Sequence, residues 1–571
     1  MNPNVTHWLE RDPDPRTREE LQYLIEEKML DEIEDRFKGR LEFGTAGLRG
    51  LMGCGPNRMN RLVIQETATG LGHYLIRHVK NAVSKGVIIG YDGRFDSKQF
   101  AHDTASVLAA LGIKVYITSK ESPTPLIAFG VKHLNTAAGV VVTASHNPPE
   151  YNGFKVYWEN GAQIIPPHDR GIAAEIEDAS TKAIPLMCLD DAKKKGQLEW
   201  LSDEYFNAYR RSMVNSPILG NHTNPACLTI AYTAMHGVGA EMAEGLLHDI
   251  GFKNVLSVVE QRRPDPNFPT VKFPNPEEDG AMDKVIEMAE SLKAQIACAN
   301  DPDADRFAAA VQQPNGQYKM LTGDQIGVLL GHYLLTKTDP TKQLVGNTIV
   351  SSRLLGKIAT EMGAKHYETL TGFKWLSNMA MQIESEEHQF LFAYEEAIGY
   401  TIGKQVWDKD GIFTCAVFAQ LAAEAYNQNK TIWDYLEFLY RKYGLYLNAQ
   451  KSIHLEPDSK PIGDQLRKNP PSRIAGLQVV QIDDFKESLR FYIDELTQPL
   501  PYPASDVVIY YLEDQSRIII RPSGTEPKVK CYYEVVGEIA QQESYLDAMK
   551  RVESQMETLV SQHQQSLSQL D

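Results

Sequence analysis

The sequence has no cysteine pair of the kind that builds a disulfide framework or a zinc site. Its 6 cysteines stand singly and far apart, with neither a C-x-x-C spacing nor a histidine spacing that fits zinc. Free thiols of this kind are typical of a reducing compartment. The chain also lacks any apolar run near the roughly 18 residues that a membrane span needs, and Met1 to Glu20 is polar and acidic, unlike a signal or transit peptide. These absences predict a cytoplasmic protein.

An excess of positive charge is missing as well. The chain has 58 basic and 75 acidic residues, which gives a formal net charge of −17. Nucleic acids and anionic membrane surfaces attract proteins that have an excess of Lys and Arg, so the composition argues against both as partners. The overall field would also repel an anionic small molecule, and a site for one must therefore concentrate cationic side chains locally.

The chain does contain an alternation of helical and strand patterns. Apolar runs predict strands at 86–90, 114–118, 228–232, 294–299, 344–350 and 390–394, and amphipathic spacing predicts helices that include 17–38 and 199–214. Strands separated by helices indicate parallel βαβ units. For the 571 residues we therefore predict three consecutive doubly wound α/β domains, at 1–215, 216–322 and 323–446, and a smaller C-terminal α+β domain at 447–571.

The first candidate site residue is Ser145. The apolar run Val140–Val142 predicts a buried strand, and Asn147-Pro148-Pro149 prevents a helix from following directly. Ligands of open α/β sheets bind outside the carboxyl ends of the strands, so Ser145 is a candidate nucleophile that carries a phosphoryl group, with an ordinary loop residue as the alternative. Successive side chains of an extended segment point in opposite directions, which favours a positioning role for His146 over a role as base.

Two cations are expected near this loop. The glycine-rich turn that ends in Arg49 permits a close backbone approach, and its guanidinium offers a planar fork for phosphate oxygens. A solvated Arg on a surface turn is the alternative. Asn152-Gly153 predicts a tight turn before a short strand, and this turn would carry Lys155 back toward the Ser145 loop.

Three carboxylates follow the predicted strand 294–299. Asp301, Asp303 and Asp305 alternate along an extended loop, so they are expected to converge on one side. A hard divalent cation such as magnesium would relieve their repulsion. A plain turn or a helix cap is the alternative. Arg306, directly behind the carboxylates, is a candidate phosphate ligand.

Polar loops with suitable donors and acceptors also occur in the two C-terminal domains. Lys374 is expected in an exposed strand-turn after Gly372, and Glu395 and Glu396 at a strand end suit sugar hydroxyls or cap a helix. A cradle for a tetrahedral anion is predicted after the strand 517–520. Its members are Arg521, Ser523, Gly524, Thr525 and Lys528.

The order of these motifs is more specific than any one of them. The chain carries Thr143-Ala-Ser-His-Asn-Pro-Pro149 with Tyr151-Asn-Gly-Phe-Lys155, then Asp301-Pro-Asp-Ala-Asp-Arg306, Glu395-Glu-Ala-Ile-Gly-Tyr400 and Arg521-Pro-Ser-Gly-Thr-Glu-Pro-Lys528. In this order they resemble the α-D-phosphohexomutase superfamily over nearly the whole chain. Phe43-Gly-Thr-Ala-Gly-Leu-Arg49 and Leu370-Thr-Gly-Phe-Lys-Trp375 look closest to the phosphoglucomutase-2 and phosphopentomutase branch.

The resemblance implies a role for each motif, around a central active-site cleft. Ser145 would be the phosphoserine and, with Asp301, Asp303 and Asp305, would bind magnesium. Arg49 and Lys155 would assist proton movement, with His146 nearby and Arg306 close to the phosphoryl group. The implied sugar contacts are Thr371, Gly372, Lys374, Glu395 and Glu396, and the implied ligands of the phosphate that does not react are Arg521, Ser523, Gly524, Thr525 and Lys528.

One departure bears on the choice of sugar. Hexose-specific relatives have a Ser in the loop where this chain has Ala397 and Ile398, and Tyr400 stands where bacterial bifunctional relatives carry His. A lost polar contact shifts discrimination between substrates when the site is built around that contact.

The resemblance implies a magnesium-dependent phosphosugar mutase that acts between a sugar 1-phosphate and its 6- or 5-phosphate, with glucose 1,6-bisphosphate or a related bisphosphate as primer. Glucose-1,6-bisphosphate synthase, phosphomannomutase and a non-catalytic sugar-phosphate sensor remain as alternatives. Small phosphorylated sugars are the expected partners, and a monomer or a weak homodimer is the expected state.

Overall fold

The computed structural model describes residues 3–45, 47–219, 225–313, 315–454, 462–494, 496–522 and 528–568. The chain forms two compact units. The first comprises Met1–Thr322 and Ala397–Asn429, and the second comprises Gly323–Glu396 and Lys430–Asp571. In the part of the chain described, no helix combines the length and the apolar character that crossing a membrane requires.

Helices occur in both units. In chain order they are α1 Pro3–Arg11, α2 Pro15–Glu26, α3 Leu30–Phe37, α4 Arg61–His78, α5 Ala82–Lys85, α6 Ser97–Ala110, α7 Thr124–His133, α8 His168–Ser180, α9 Leu189–Lys194, α10 Asp203–Val214, α11 Ala240–Asp249, α12 Asp283–Leu292, α13 Gly323–Thr336, α14 Leu354–Met362, α15 Phe373–Ile383, α16 Gly411–Asn427, α17 Ile432–Tyr443, α18 Ile462–Lys468 and α19 Tyr545–Leu567.

The strands are interspersed with these helices, and in the C-terminal region they follow one another more closely. In chain order they are β1 Leu48–Leu51, β2 Val87–Tyr91, β3 Val115–Thr118, β4 Ala138–Val142, β5 Tyr151–Trp158, β6 Leu198–Leu201, β7 Thr229–Thr233, β8 Asn254–Ser257, β9 Ile296–Ala299, β10 Ala308–Gln312, β11 Tyr318–Met320, β12 Gln343–Thr348, β13 Lys365–Thr369, β14 Gln389–Glu395, β15 Gly399–Ile402, β16 Leu445–His454, β17 Arg473–Ile474, β18 Leu477–Asp484, β19 Leu489–Tyr492, β20 Thr497–Pro499, β21 Val508–Leu512, β22 Arg517–Pro522 and β23 Lys528–Gly537.

The first unit contains two mixed sheets. The first has the order β1-β5-β4-β2-β3-β6, in which β2, β3, β4 and β6 are parallel and β5 is antiparallel to β4. The second has the order β11-β10-β9-β7-β8, in which β10 is antiparallel to β9. The prediction of parallel sheets was therefore incomplete. The short connections after β4 and β9 leave no room for a crossover helix, and each chain segment returns as an antiparallel neighbour.

The segment Asn152-Gly153 is not the predicted turn but lies inside β5. The Asn152 side chain is buried and donates to Phe95 O at 2.9 Å and Ser97 Oγ at 3.0 Å. A Cβ on Gly153 would lie 2.5 Å from Thr143 O and 2.8 Å from Leu48 O. The two residues thus permit close packing of the backbone beside the Ser145 loop.

Two predicted helices are shorter than their sequence patterns. The pattern over 17–38 is divided between α2 and α3, and Lys28 between them has a left-handed φ of 57°. The pattern over 199–214 begins as β6, which pairs with β3, and becomes helical only at Asp203. The apolar residues of the strand lead into those of the helix without a break, so the sequence pattern does not show where the helix begins.

The second unit combines a small parallel sheet with an antiparallel one. Strands β13, β12 and β14 are parallel neighbours. The C-terminal strands follow the order β16-β23-β22-β21-β18-β19-β20, with antiparallel pairs and with β17 beside β18. An apolar cluster joins the two parts of this unit, because Ile349 and Leu370 pack with Phe485 and Ile519.

Candidate active site

Ser145 lies in a loop that starts directly after β4, whose residues are all buried. The Ser145 amide donates to Thr143 Oγ1 at 2.8 Å. Ser145 is 3 % exposed and has a left-handed φ of 54°. Its hydroxyl donates to Asp301 Oδ2 at 3.1 Å and lies 3.1 Å from His146 Nδ1. The loop therefore delivers the seryl oxygen to a carboxylate and an imidazole at once.

The position of His146 corrects the sequence argument. We expected its side chain to point away from Ser145, but the left-handed turn at Ser145 places the two side chains in contact. Burial, together with the positive charges of Arg306 and Arg49, lowers the pKa of His146 well below its usual value. A neutral imidazole accepts a hydrogen bond or a proton at one ring nitrogen.

The three carboxylates predicted to converge do so. Asp301, Asp303 and Asp305 are fully buried, and one ligand oxygen from each lies within 4.8 Å of the others. The Arg306 amide donates to Asp301 Oδ1 at 3.0 Å. Thr124 at the start of α7 donates its hydroxyl to Asp303 Oδ2 at 2.7 Å and its amide to Asp303 O at 2.9 Å. Backbone and side-chain donors thus hold the carboxylates in place.

Lys155 reaches the carboxylates from β5, whereas the sequence predicted that a turn would carry it back toward the Ser145 loop. Its Nζ lies 2.7 Å from Asp303 Oδ2 and 2.8 Å from Asp305 Oδ2, and Lys409 Nζ lies 3.4 Å from the same oxygen of Asp305. Burial lowers the pKa of Lys155, but the two carboxylates outweigh it and raise the pKa above its ordinary value. Burial likewise raises the pKa of Asp303, yet Lys155 brings it below its ordinary value.

Two carboxylate oxygens of this cluster have no hydrogen-bond partner. Among the described residues, Asp303 Oδ1 and Asp305 Oδ1 are buried and accept no hydrogen bond. Burying a charged oxygen without a partner is strongly unfavourable. Hard cations take oxygen ligands, and carboxylates are the usual ones in proteins. The residues therefore fit a divalent cation such as magnesium at Asp301, Asp303 and Asp305.

Arg49 also belongs to this region. It lies in β1, where it is the register partner of Gly153 in β5. Its exposed guanidinium donates through Nη1 to Asn147 Oδ1 at 3.1 Å, two residues after Ser145. The structure thus brings a solvent-facing cation to the edge of the Ser145 loop.

Arg306 links the carboxylate loop to the segment in which this chain departs from hexose-specific relatives. Arg306 forms a bridge with Gly399, and its Nη1 donates to Ala397 O at 3.0 Å. Between them, Ile398 is fully buried and has a left-handed φ of 51°. Left-handed backbone is rare for a β-branched residue. This strained segment therefore packs directly on the carboxylate loop.

In the second unit, the predicted sugar contacts begin at the end of β13. Thr371 and Gly372 connect β13 to α15, and Gly372 has a φ of 109°. Lys374 lies in the first turn of α15 with its Nζ 5.6 Å from the Trp375 ring centre. The predicted strand-turn is therefore a helix N-terminus, because the glycine ends the strand and permits a sharp change of direction.

Glu395 and Glu396 follow the apolar part of β14. Glu395 is the last residue of the strand and is half-buried. The Glu396 carboxylate accepts hydrogen bonds from Ser351 Oγ at 3.1 Å and Thr348 Oγ1 at 3.3 Å. Hydroxyl donors thus fix Glu396 at the carboxyl end of β12.

The predicted anion cradle is only partly described. Arg521 lies in β22, is half-buried, and is the register partner of Lys530 in β23. Lys528 begins β23. The Lys528 side chain and the residues Ser523, Gly524 and Thr525 lie outside the described part of the chain.

Sequence analysis missed three residues of the Ser145 region. They are Lys409, Arg94 and Thr124. The first two had a signal in the sequence, because Asp408-Lys409-Asp410 and Asp92-Gly93-Arg94 each place charges near the end of a strand. Nothing in the sequence pairs Thr124 with a residue almost two hundred positions away.

Comparison with known proteins assigns the family. Four domain models described as the phosphoglucomutase/phosphomannomutase α/β/α domains I, II and III and the C-terminal domain match residues 40–183, 203–316, 322–443 and 485–552. The chain belongs to the phosphoglucomutase/phosphomannomutase family. Its fold is confirmed as three α/β domains followed by a C-terminal domain, and it is a phosphosugar mutase of this superfamily.

Individual relatives agree with this assignment. A probable phosphoribomutase of Schizosaccharomyces pombe is 37 % identical over 544 residues, which cover 92 % of each chain. The glucose 1,6-bisphosphate synthase of Homo sapiens is 33 % identical over 565 residues, which cover 93 % of this chain and 89 % of the relative. The open form of parafusin, a phosphoglucomutase from Paramecium, superposes with a TM-score of 0.68 at 17 % identity, over 93 % of this chain and 96 % of that one, and supports the fold.

Proposed function

We propose that this phosphosugar mutase carries its phosphoryl group on Ser145 and interconverts sugar 1-phosphates with 5- or 6-phosphates. The observation that carries the proposal is the position of Ser145 Oγ, which lies 3.1 Å from Asp301 in a carboxylate cluster that fits a divalent cation. Phosphoryl transfer depends on positioning and on neutralising charge, and this loop supplies both.

The reaction consists of two phosphoryl transfers, the first from Ser145 to the sugar and the second from the sugar back to Ser145. The phosphorus–oxygen bond at Ser145 Oγ breaks as a bond forms to the free hydroxyl of a sugar monophosphate, and the hydroxyl proton ends on the seryl oxygen. The bisphosphate then presents its other phosphate, and the same bond changes run in reverse. Glucose 1,6-bisphosphate or a related bisphosphate would prime the enzyme by the second transfer.

We assign roles to the residues around Ser145 from the family resemblance, together with the contacts that the structure shows for Lys155 and His146. Arg49 and Lys155 assist proton movement and balance the charge of the phosphoryl group, and His146 holds the seryl oxygen through Nδ1 at 3.1 Å. A divalent cation bound by Asp301, Asp303 and Asp305 would stabilise the negative charge that spreads over the phosphoryl oxygens.

The remaining contacts follow the family resemblance. We assign the sugar to Thr371, Gly372, Lys374, Glu395 and Glu396, and the phosphate that does not react to Arg521, Ser523, Gly524, Thr525 and Lys528. Arg306 lies between the carboxylate loop and Ala397, and we place it beside the phosphoryl group. We keep the expectations of a cytoplasmic enzyme that is a monomer or a weak homodimer.

The loop with Ala397 and Ile398 favours a pentose phosphate as the preferred substrate. Neither side chain offers a hydroxyl or a charge to a hexose ring, and Ile398 is fully buried. A site that lacks a polar contact gains no binding energy from the substrate hydroxyl that this contact would bind. The similarity to a probable phosphoribomutase agrees with this preference.

The test compares kcat/KM for ribose, deoxyribose, glucose and mannose 1-phosphates, with the enzyme primed by glucose 1,6-bisphosphate. We expect the pentose phosphates to give the highest values and Ser145→Ala to abolish turnover of all four. Full activity of Ser145→Ala would overturn the proposal, and a clear preference for a hexose phosphate would overturn the pentose assignment alone.

A second candidate is synthesis of a sugar bisphosphate from an acyl phosphate donor, because the human glucose 1,6-bisphosphate synthase is 33 % identical over most of the chain. The same phosphoserine would carry the phosphoryl group, and only the phosphoryl donor would differ. A coupled assay with 1,3-bisphosphoglycerate and glucose 1-phosphate separates the two activities, because a mutase produces net bisphosphate from this donor slowly or not at all.

A further inference from the structure

Arg94 holds the backbone of the loop that begins at Ser145. Its Nη2 donates to Ser145 O at 2.6 Å and to Asn147 O at 2.5 Å. Its Nη1 donates to Pro148 O at 2.9 Å and lies 3.4 Å from Tyr151 O. One side chain thus contacts four carbonyl groups of the segment that leads from β4 to β5.

Arg94 is itself fixed from two other directions. It is 5 % exposed, and its Nε lies 3.3 Å from Asp92 Oδ2. Its guanidinium also stacks on the Phe268 ring at 5.0 Å from the ring centre. Phe268 is 3 % exposed and comes from the connection between β8 and α12, whereas Asp92 directly follows β2, so two separate segments of the first unit immobilise the same guanidinium.

The Ser145 backbone needs such a restraint. Its φ of 54° is left-handed, and L-residues other than Asn, Asp and Gly seldom adopt it. Such a conformation persists only where the surroundings determine it. The contacts of Ser145 Oγ with Asp301 and His146 depend on this turn, because an extended backbone at Ser145 would point its side chain away from that of His146.

We propose that Arg94 is a positioning residue for phosphoryl transfer, which fixes the left-handed turn at Ser145 through the loop carbonyls and so aims the seryl oxygen. The inference rests on the proposed function of Ser145. Arg94 acts on the nucleophile through the backbone and touches neither the sugar nor the transferred group.

Only an arginine fits this position. A guanidinium has five donors in one plane and stacks on an aromatic ring, whereas an ammonium group has three donors on one atom. Lysine at position 94 would keep the positive charge beside Asp92, but it could neither bind all of the carbonyls from Ser145 to Tyr151 nor stack on Phe268 as a guanidinium does.

The test measures one transfer in isolation. Enzyme primed with glucose 1,6-bisphosphate is freed of excess bisphosphate and mixed with saturating ribose 1-phosphate in a rapid-quench instrument, and loss of phosphoserine is followed by intact mass. We expect Arg94→Lys to slow this transfer by about a hundredfold, as small misplacements of a reacting group do, while KM for the sugar phosphate stays near the wild-type value. Phe268→Leu removes only the stacking and should slow the transfer by about tenfold.

Arg58→Lys is the matched control. Arg58 is also a buried arginine of the first unit, at 9 % exposure, and it binds a backbone carbonyl and a carboxylate, those of Asn57 and Asp35. It makes no described contact with the Ser145 loop, so its lysine variant should transfer at the wild-type rate.

Three results would overturn the inference. The first is a wild-type transfer rate in folded Arg94→Lys, or in Phe268→Leu if Arg94→Lys does not fold. The second is a loss of sugar-phosphate binding with no change in the transfer rate. The third is an equal slowing of the transfer in Arg58→Lys. A wild-type enzyme that never carries phosphate on Ser145 would refute the proposed function and this inference together, whereas the three results above leave the function intact.

Discussion

The buried carboxylate of Glu534 in the second unit and the buried carboxylate cluster of the first unit differ in how their oxygens are bonded. In the second unit, Glu534 accepts from Arg353 Nε at 2.6 Å and Arg517 Nε at 3.0 Å on one oxygen, and from the Arg353 amide at 2.9 Å and Asn448 Nδ2 at 3.1 Å on the other. In the first unit, Asp303 and Asp305 each leave one buried oxygen without a described partner.

The difference separates a structural cluster from a ligand site. Burial raises the pKa of Glu534, but Arg517 and Arg353 outweigh it and bring the pKa to about 2. Both carboxylate oxygens of Glu534 accept hydrogen bonds from protein groups, so the role of Glu534 is structural and joins strands. No described residue supplies a partner for the unsatisfied oxygens of Asp303 and Asp305, and a divalent cation is the partner that fits.

The largest expected effect on stability is at Glu534. Replacement by Gln leaves the buried Arg517 and the half-buried Arg353 without their counterion, and removing one partner of a buried ion pair costs about 3–5 kcal/mol. We expect the free energy of unfolding of the second unit to fall by that amount in denaturant titrations. Glu437→Gln, which removes a half-exposed pair with Arg441, should change it by about 0.5 kcal/mol or less. Equal effects of the two variants would contradict the assignment of Glu534 as structural.

Asp324 makes the second unit sensitive to pH. Burial raises its pKa to about 7, although its Oδ1 accepts from the Ser352 amide at 2.6 Å and the Tyr394 hydroxyl at 2.9 Å. The pKa of Asp324 is higher in the folded protein than in the unfolded one, so protonation of this carboxyl group favours the folded state. This contribution to the free energy of unfolding is complete below about pH 4 and is lost as the pH rises through about 7. The loss is about 4 kcal/mol. Denaturant titrations from pH 4 to 8 should show this decline in wild type and not in Asp324→Asn, and a decline of the same size in the variant would assign it elsewhere.

Magnesium should stabilise the first unit. A ligand that binds only the folded state at one hundred times its Kd contributes about 2.7 kcal/mol to the free energy of unfolding. We expect thermal denaturation of wild type to show this rise with magnesium, and Asp303→Asn to show little or none. A similar rise in the variant would place the cation away from the carboxylate cluster.

A small effect on stability is expected for Asp301→Asn without metal. Asp301 faces the like charges of Asp303 and Asp305, and an asparagine oxygen can still accept from the Arg306 amide, which now donates to Asp301 Oδ1 at 3.0 Å. We expect the free energy of unfolding to change by less than about 1 kcal/mol, while turnover is lost. A large destabilisation would mean that Asp301 has a structural task like that of Glu534.

The sequence predicted the parts of this comparison that depend on local pattern. The alternate spacing of Asp301, Asp303 and Asp305 after an apolar strand was sufficient to predict their convergence, and the buried run before Ser145 was sufficient to place it at a strand end. The α/β domains followed from the alternation of strands and helices. The boundaries at 215, 322 and 446 remain predictions.

The rest depended on backbone angles and distant contacts, which a sequence does not display. The left-handed turn at Ser145 reversed the expected direction of His146, and nothing in the order Ser-His indicates a positive φ. Asn152-Gly153 resembles a turn by its composition, but it serves close packing in β5. The contacts of Arg94 and Thr124 join segments that only the folded sheets bring together.

The most direct test of the account is the phosphorylation state of Ser145 during turnover. Enzyme primed with glucose 1,6-bisphosphate and freed of excess bisphosphate should carry one phosphoryl group, which peptide mass spectrometry assigns to Ser145. Addition of a sugar 1-phosphate should remove the group and yield the sugar bisphosphate in equal amount. An active enzyme whose Ser145 stays unmodified throughout, or whose phosphoryl group does not pass to the sugar, would contradict the account.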